Sequence, residues 1–244
     1  MDQLVWRARV GLITTSGQVV TEPRYYGVAP AGVSFHTSRM LNPGTGLEGL
    51  VEMERSAGRA IEELATADVD SIAYCCTVSG ALRGMEADRA FCRETEERWG
   101  IPTTSTMLAC TEALRHLGAR EVVVTSPYRD DRHEAEQRYL EAAGIRPVAM
   151  HGMGLGSGRE YAAVPPSEIE RFCVESWEEG ADALFVSCMN FDAMAVAEAL
   201  EERLGVPVVT SHTATLWRAL ALAGIEDPIP GCGRLLAERR TTPR

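Results

Sequence analysis

The feature that most constrains this chain is a repeated segment. Asp70-Ser71-Ile72-Ala73-Tyr74-Cys75-Cys76-Thr77 and Asp182-Ala183-Leu184-Phe185-Val186-Ser187-Cys188-Met189 share an acidic residue, a short apolar run, and a Cys six positions after the Asp. Gly-Ile-Pro at 100–102 follows the first copy and Gly-Val-Pro at 205–207 the second. Two strands, each delivering a thiol to its C-terminal end under approximate two-fold symmetry, imply one pocket flanked by two thiols. Such a pocket suits a nucleophile, or an acid and a base, on opposite faces of one carbon.

The rest of the chain alternates in the same way. Val10–Ile13, Ser71–Cys76, Glu121–Thr125, Leu184–Ser187 and Val206–Thr210 read as short apolar strands without alternation, which fits burial on both faces. Helical spacing covers 47–67, 83–99, Thr106–Leu117, Arg132–Ala143, Ser167–Glu179, Ala193–Leu204 and Thr213–Leu222. Gly152–Gly158 is glycine-rich and reads as a lid or plain loop. It lacks the strand-turn-helix setting of a dinucleotide fingerprint. Strands separated by helices imply parallel pairing with right-handed crossovers. The expected fold is therefore α/β: two similar Rossmann-like halves, each a parallel sheet flanked by helices, with the site between them. Residues 1–112 with 213–244 form the first half and 113–212 the second.

Ligands in such sheets bind beyond the C-terminal strand ends. There lie Cys76 and Cys188, Thr14-Thr15-Ser16, Ser126-Pro127-Tyr128 and Ser211-His212-Thr213. A thiol that opens a helix meets free backbone N–H groups and the positive end of the helix dipole, which predicts a lowered pKa. The same N–H groups, after Cys76 at Thr77, Val78 and Ser79 and after Cys188 at Met189 and Asn190, are placed to cradle a carboxylate. Adjacent strand residues face opposite ways, so only one of Cys75 and Cys76 should face the cleft, and the shared interval favours Cys76. Cys92, Cys110, Cys173 and Cys232 read as packing residues. The Tyr128 hydroxyl is placed to donate to a substrate carboxylate. Arg39 reads either as an acid anchor or as half of an ion pair that holds its loop. His36, His133 and His212 read as satisfied polar residues.

The net charge of −11 argues against nucleic acid or an anionic membrane as partner. No apolar stretch reaches the length of a membrane span, and the segment 1–7 has no signal-peptide pattern. Seven cysteines without framework spacing point to a reducing cytosol. The five histidines do not fall at zinc-motif spacings, so no metal is expected. No cofactor is expected either.

Aligned on the two Cys segments, the chain resembles the aspartate/glutamate/hydantoin racemase superfamily, and within it the branch of maleate cis-trans isomerase and arylmalonate decarboxylase. The resemblance runs over nearly the whole chain. It is carried by Phe35-His36-Thr37-Ser38-Arg39-Met40, Thr125-Ser126-Pro127-Tyr128, Leu184-Phe185-Val186-Ser187-Cys188, Val206-Pro207-Val208-Val209-Thr210 with Ala214-Thr215, and Gly231-Cys232-Gly233-Arg234-Leu235-Leu236. The decarboxylase has Gly at the position of Cys76, whereas the isomerases and racemases have Cys at both. The resemblance thus implies isomerisation of a small carboxylate or dicarboxylate, with Cys76 adding to a double bond and Cys188 as acid/base partner. A two-thiol racemase, an arylmalonate-type decarboxylase and a non-catalytic carboxylate-binding protein stay open. The implied substrate-binding set is Ser16, Gln18, Thr77, Val78, Tyr128 and Met189. Gln18 stands where the isomerases place a carboxylate-binding Asn, Glu22 matches a later Glu, and Ser157, Gly158 and Arg159 offer no counterpart to a second Asn. The resemblance also implies a homodimer or larger homo-oligomer.

Overall fold

Both copies of the repeated segment sit in the sheet in the same way. The Asp70 carboxylate accepts the Arg9 N–H at 2.7 Å, and the Asp70 N–H donates to the Arg9 carbonyl at 2.8 Å. The Asp182 carboxylate accepts the N–H groups of Arg120 and Glu121, both at 2.9 Å, and its own N–H donates to the Glu121 carbonyl. Each Asp clamps the start of its strand to the neighbouring one. The downstream prolines match as well: the carbonyls of Pro102 and Pro207 accept the N–H groups of Ile72 and Leu184. Gly100 and Gly205 close the preceding helices in the left-handed conformation, at φ 68° and 72°.

The computed structural model describes residues 6–42 and 47–238. The first half runs β1 (Ala8–Thr15), α1 (Thr21–Val28), β2 (Val33–Met40), α2 (Leu47–Arg55), α3 (Ala57–Ala65), β3 (Ser71–Cys75), α4 (Thr77–Arg83), α5 (Met85–Trp99), β4 (Thr103–Ser105) and α6 (Thr106–His116). The second runs β5 (Glu121–Ser126), α7 (His133–Ala142), β6 (Arg146–Gly152), α8 (Gly158–Ala163), α9 (Pro166–Glu175), β7 (Ala183–Val186), α10 (Ala197–Leu204) and β8 (Val208–Thr210); α11 (Ser211–Leu222) and a final turn α12 (Arg234–Ala237) follow, and α11 packs against β3 and β4 as well as β8. The sheets are parallel, in the orders β2-β1-β3-β4 and β6-β5-β7-β8. These orders are the same topology twice, so the two-half α/β expectation holds. Helices α6 and α11 pack on each other between the sheets, and the Thr215 hydroxyl donates to that of Thr106 at 3.1 Å. Among the described residues no helix is long and apolar enough to cross a membrane.

The local boundaries depart from expectation for identifiable reasons. The helix expected over 47–67 breaks at Ser56, whose hydroxyl bonds back to the Met53 carbonyl at 2.7 Å and competes with helix continuation. The helix expected over 83–99 is two, α4 and α5. They are separated by Gly84 at φ 77° and ψ 157°, a region open to glycine. Strands β2 and β6 escape the apolar-run criterion because both are sheet edges. β6 is only half-buried along its length and contains Pro147, which an edge tolerates. The 152–158 segment is not wholly loop: Gly152 ends β6, and Ser157 caps α8 by accepting the Glu160 N–H. A Cβ at Gly152 would stand 2.2 Å from the Tyr128 carbonyl oxygen, so this glycine allows β6 to pass the Tyr128 loop.

Helix α4, which carries Cys76 at its N-cap, is pinned from its other end. Arg83 lies against the rings of Tyr74 and Phe91, 4.4 and 4.2 Å from their centroids, and the two rings meet edge to face. It donates to Asp88 at 2.7 Å and to Glu54 at 2.5 Å. Asp88 is fully buried and also accepts the Tyr139 hydroxyl at 2.8 Å and that of Ser105. An Arg83→Met substitution removes the one cation paired with Asp88 among the described residues. Urea denaturation is expected to show a loss of about 3–5 kcal/mol; a loss below about 1 kcal/mol would refute the pinning role.

Candidate active site

The C-terminal ends of the two sheets face one cavity of about 550 Å³. The eight catalytic and substrate-binding candidates, Ser16, Gln18, Cys76, Thr77, Val78, Tyr128, Cys188 and Met189, line it, as does Asn190, whereas Ser79 does not. Cys75 also contributes to the wall, so the expectation that only one of the adjacent pair meets the cleft is corrected. Alternation still separates their thiols. Cys75 Sγ bonds back to the Ala73 carbonyl at 3.4 Å, whereas Cys76 Sγ accepts the Ser79 hydroxyl at 3.1 Å. Cys92, Cys110, Cys173 and Cys232 are buried away from the cavity.

The loops carrying the two thiols meet at one side chain. Ser211, the first residue of α11, accepts the Cys188 N–H at 2.9 Å, and its hydroxyl lies 3.1 Å from that of Thr77. Cys76 is in extended backbone at φ −147°. Cys188 is at φ 119°, a region that a residue with a Cβ enters only under strain. Its thiol accepts the Asn190 N–H at 3.2 Å and is hydrogen-bonded to the Tyr128 hydroxyl. Strain of this kind, of order 1–3 kcal/mol, is commonly kept where geometry serves a site.

Burial raises both thiols, which corrects the expectation of lowered pKa values. Cys76 is raised by burial, with the Ser79 hydroxyl and N–H working against it. Cys188 is pushed up to about 12 by burial, opposed by Tyr128 and Asn190 and reinforced by Glu136. Helix α4 is seven residues long, and no helix begins at Cys188. Desolvation therefore outweighs the dipole. Both are therefore neutral thiols at pH 7.

Around the thiols, several polar groups are committed to holding the halves together. Gln18 Nε2 donates to Met189 O and Thr21 Oγ1, both at 2.7 Å, which uses both amide hydrogens. Its Oε1 is buried without a partner. Arg39 pairs with Glu22 and donates to the carbonyls of Ser16 and Gln18, so of its two readings the loop-holding ion pair is the one realised. His36 pairs with Ser34, His133 with Ser126 and His212 with Thr21, and none lines the cavity. Burial lowers His212 to about 4, so it is neutral.

Sequence reasoning missed what the Asn190 side chain does and three contributors to the wall, Arg132, Arg159 and Tyr161. The Asn190 side chain accepts the Val19 N–H at 2.9 Å and donates to the Gly158 carbonyl at 2.7 Å and that of Gly17 at 3.3 Å, tying three loops over the cleft. Arg132 and Arg159 bring positive charge to the wall. Tyr161 packs edge-on against Tyr128, at 5.4 Å. Only their position after strand ends could have flagged them. Among the described residues no group of three or more His, Cys, Asp and Glu is placed to hold a metal.

With two α/β halves and a thiol from each in one cleft, the chain is of a defined class, a double α/β domain protein with a paired-cysteine site. The family model described as arylmalonate decarboxylase matches residues 19–236, and the chain belongs to that family. It is similar to the maleate isomerase of Nocardia farcinica, 27% identical over 240 residues, covering 94% of this chain and 96% of that one. It is also similar to the arylmalonate decarboxylase of Bordetella bronchiseptica, 31% identical over 159 residues, covering 64% and 66% of the two chains. Among solved structures, a cysteine-to-serine mutant of Nocardia farcinica maleate cis-trans isomerase with a covalently bound succinylcysteine intermediate superposes with a TM-score of 0.88. That match is 26% identical and covers 95% of this chain and 98% of the other.

The unequal thiols predict unequal reactivity. In the ligand-free protein, iodoacetamide at pH 8 is expected to label Cys76 faster than Cys188, read by peptide mass spectrometry. Faster labelling of Cys188 would contradict the contrast between Arg83, which lowers Cys76, and Glu136, which raises Cys188.

Proposed function

We propose that this protein is a cofactor-independent cis-trans isomerase of a small unsaturated dicarboxylate such as maleate, with Cys76 as nucleophile and Cys188 as acid/base. The observation that carries the reading is the pair of thiols, one from each sheet, facing one cavity in a chain similar over nearly its full length to maleate isomerases. Cys76, at the N-terminus of α4, suits attack, and Cys188, whose proton Glu136 helps to hold, suits an acid. In the reaction, the Cys76 thiolate forms a C–S bond at one alkene carbon. The displaced electron pair moves onto the other carbon and its carboxylate, and Cys188 supplies a proton or hydrogen bond there. The former double bond, now single, rotates. Cys188 takes back what it gave, the C–S bond breaks, and the trans alkene leaves.

The N–H groups of Thr77, Val78 and Met189, with the Ser16 hydroxyl, are the donors for substrate carboxylates; the Tyr128 hydroxyl joins them by releasing the Cys188 thiol. Gln18 contributes to the wall; to donate to a substrate it must release Met189 or Thr21. In a chain of net charge −11, Arg132 and Arg159 give the cavity a local field that an anion can follow. A reducing cytoplasmic setting keeps the thiols active, and a homo-oligomer is part of the same proposal.

The test is conversion of maleate to fumarate followed by proton NMR. Cys76→Ser and Cys188→Ser are each expected to lower kcat/KM by about a thousandfold or more. Full activity in either variant sinks the two-thiol mechanism. Carbon dioxide release from an arylmalonate by a Cys76→Ala variant would instead favour the decarboxylase reading, and racemisation of an amino acid the racemase. Because the Cys76 thiol is raised above its ordinary value, kcat/KM is expected to climb steadily from pH 6 to pH 8.5 as the thiolate fraction grows. A flat profile over that range would contradict attack by Cys76.

A further inference from the structure

Behind Cys188, on the side away from the cavity, lies an acid that the proposed reaction does not use. Glu136 on α7 is 1% exposed. Its Oε1 accepts the hydroxyl of Ser187, the residue before Cys188, at 2.5 Å. The Ser187 N–H is itself fixed to the Thr125 carbonyl at 2.8 Å. Glu136 Oε2 is buried with no hydrogen-bond partner. A buried carboxyl with one orphaned oxygen is costly, and replacing it with an apolar side chain would remove that cost. The contact it makes is with the strained turn that carries the thiol.

We propose that Glu136 is a positioning residue that acts on Cys188 through Ser187, fixing the turn that presents the thiol and placing a carboxylate behind it. The inference rests on the reading of Cys188 as the acid of the pair. The groups that face Glu136 are Arg132 from the turn before α7, Tyr128 from the loop after β5, Cys110 from α6, and Ser187 and Cys188 from the end of β7. Arg132 is the one cation among them and favours the charged carboxylate, as does Ser187. Burial opposes both and brings Glu136 to about 7. Above that pH the carboxylate is charged and disfavours a thiolate at Cys188. Below it the carboxyl is neutral and the effect is gone. Cys188 thus keeps its proton in the alkaline range where the Cys76 thiolate becomes abundant.

The test follows modification of Cys188 by methyl methanethiosulfonate in the full-length, ligand-free protein, read by peptide mass spectrometry. Glu136→Gln keeps an oxygen for Ser187 and removes the charge. It is expected to react about threefold or more faster than the parent at pH 9, the effect of half a pKa unit or more, and at an equal rate at pH 6. A purely structural role would change the rate by the same factor at both pH values, which would overturn the proposal, as would no change at pH 9. Should the variant not fold, the parent protein carries its own signature. The logarithm of its Cys188 rate should rise with a slope below one between pH 6 and 8, because ionisation of Glu136 works against that of the thiol. A slope of one throughout overturns the proposal. Neither readout involves turnover, so failure of the isomerase reading and failure of this inference are separately visible.

Discussion

The Ser211 hydroxyl is the point on which the site depends. It accepts the Cys188 N–H and meets the Thr77 hydroxyl, so one oxygen joins the loop of each thiol at the first turn of α11. Ser211 is itself fully buried, and the preceding Thr210 caps the helix by accepting the Thr213 N–H while Thr213 returns a bond to the Thr210 N–H. Helix α11 then packs on α6 between the sheets. The relative position of the two thiols is therefore set by a helix end, a capping box and a helix pair, rather than by flexible loops. Gln18, Thr21 and Asn190 add bonds across the same seam.

Symmetry in the backbone coexists with asymmetry in the chemistry. Asp70 and Asp182, Pro102 and Pro207, and Gly100 and Gly205 do the same work in each half. Their spacing is a backbone requirement of a short strand between a helix stop and a ligand end. The thiols they deliver are not equivalent. Cys76 sits in relaxed extended backbone against Ser79. Cys188 sits at positive φ against Tyr128 and Asn190, with Glu136 behind it. A duplicated scaffold thus delivers two thiols into different surroundings.

Much of the fold and of the cavity lining was legible because those features are local. Buried central strands such as Val122–Val124 and Leu184–Val186 announce themselves as short apolar runs, and helix stops announce themselves as glycine followed by proline. The edge strands β2 and β6 did not, because they are half-exposed and carry polar residues or proline in place of an apolar run, whereas the buried edge β8 did. Helix interruptions at Ser56 and Gly84 depend on one back-bonding hydroxyl and one unusual ψ, which periodicity does not register. The Asn190 clasp joins residues 32 to 173 positions apart, so no window of sequence contains it.

By itself the sequence determined that two similar parallel α/β units would each bring a thiol to a strand end, because strand length, helix stops and the Asp-to-Cys interval are all written within a few residues. It also marked Cys76 over Cys75, since side chains alternate along a strand. Only the tertiary structure decided the state of those thiols. A pKa is set by the whole surroundings, and burial from both halves outweighed the local helix end on which the sequence argument relied. The same packing brought Glu136, 52 residues earlier in the chain, up behind Cys188, and so made two cysteines that look alike in sequence chemically distinct.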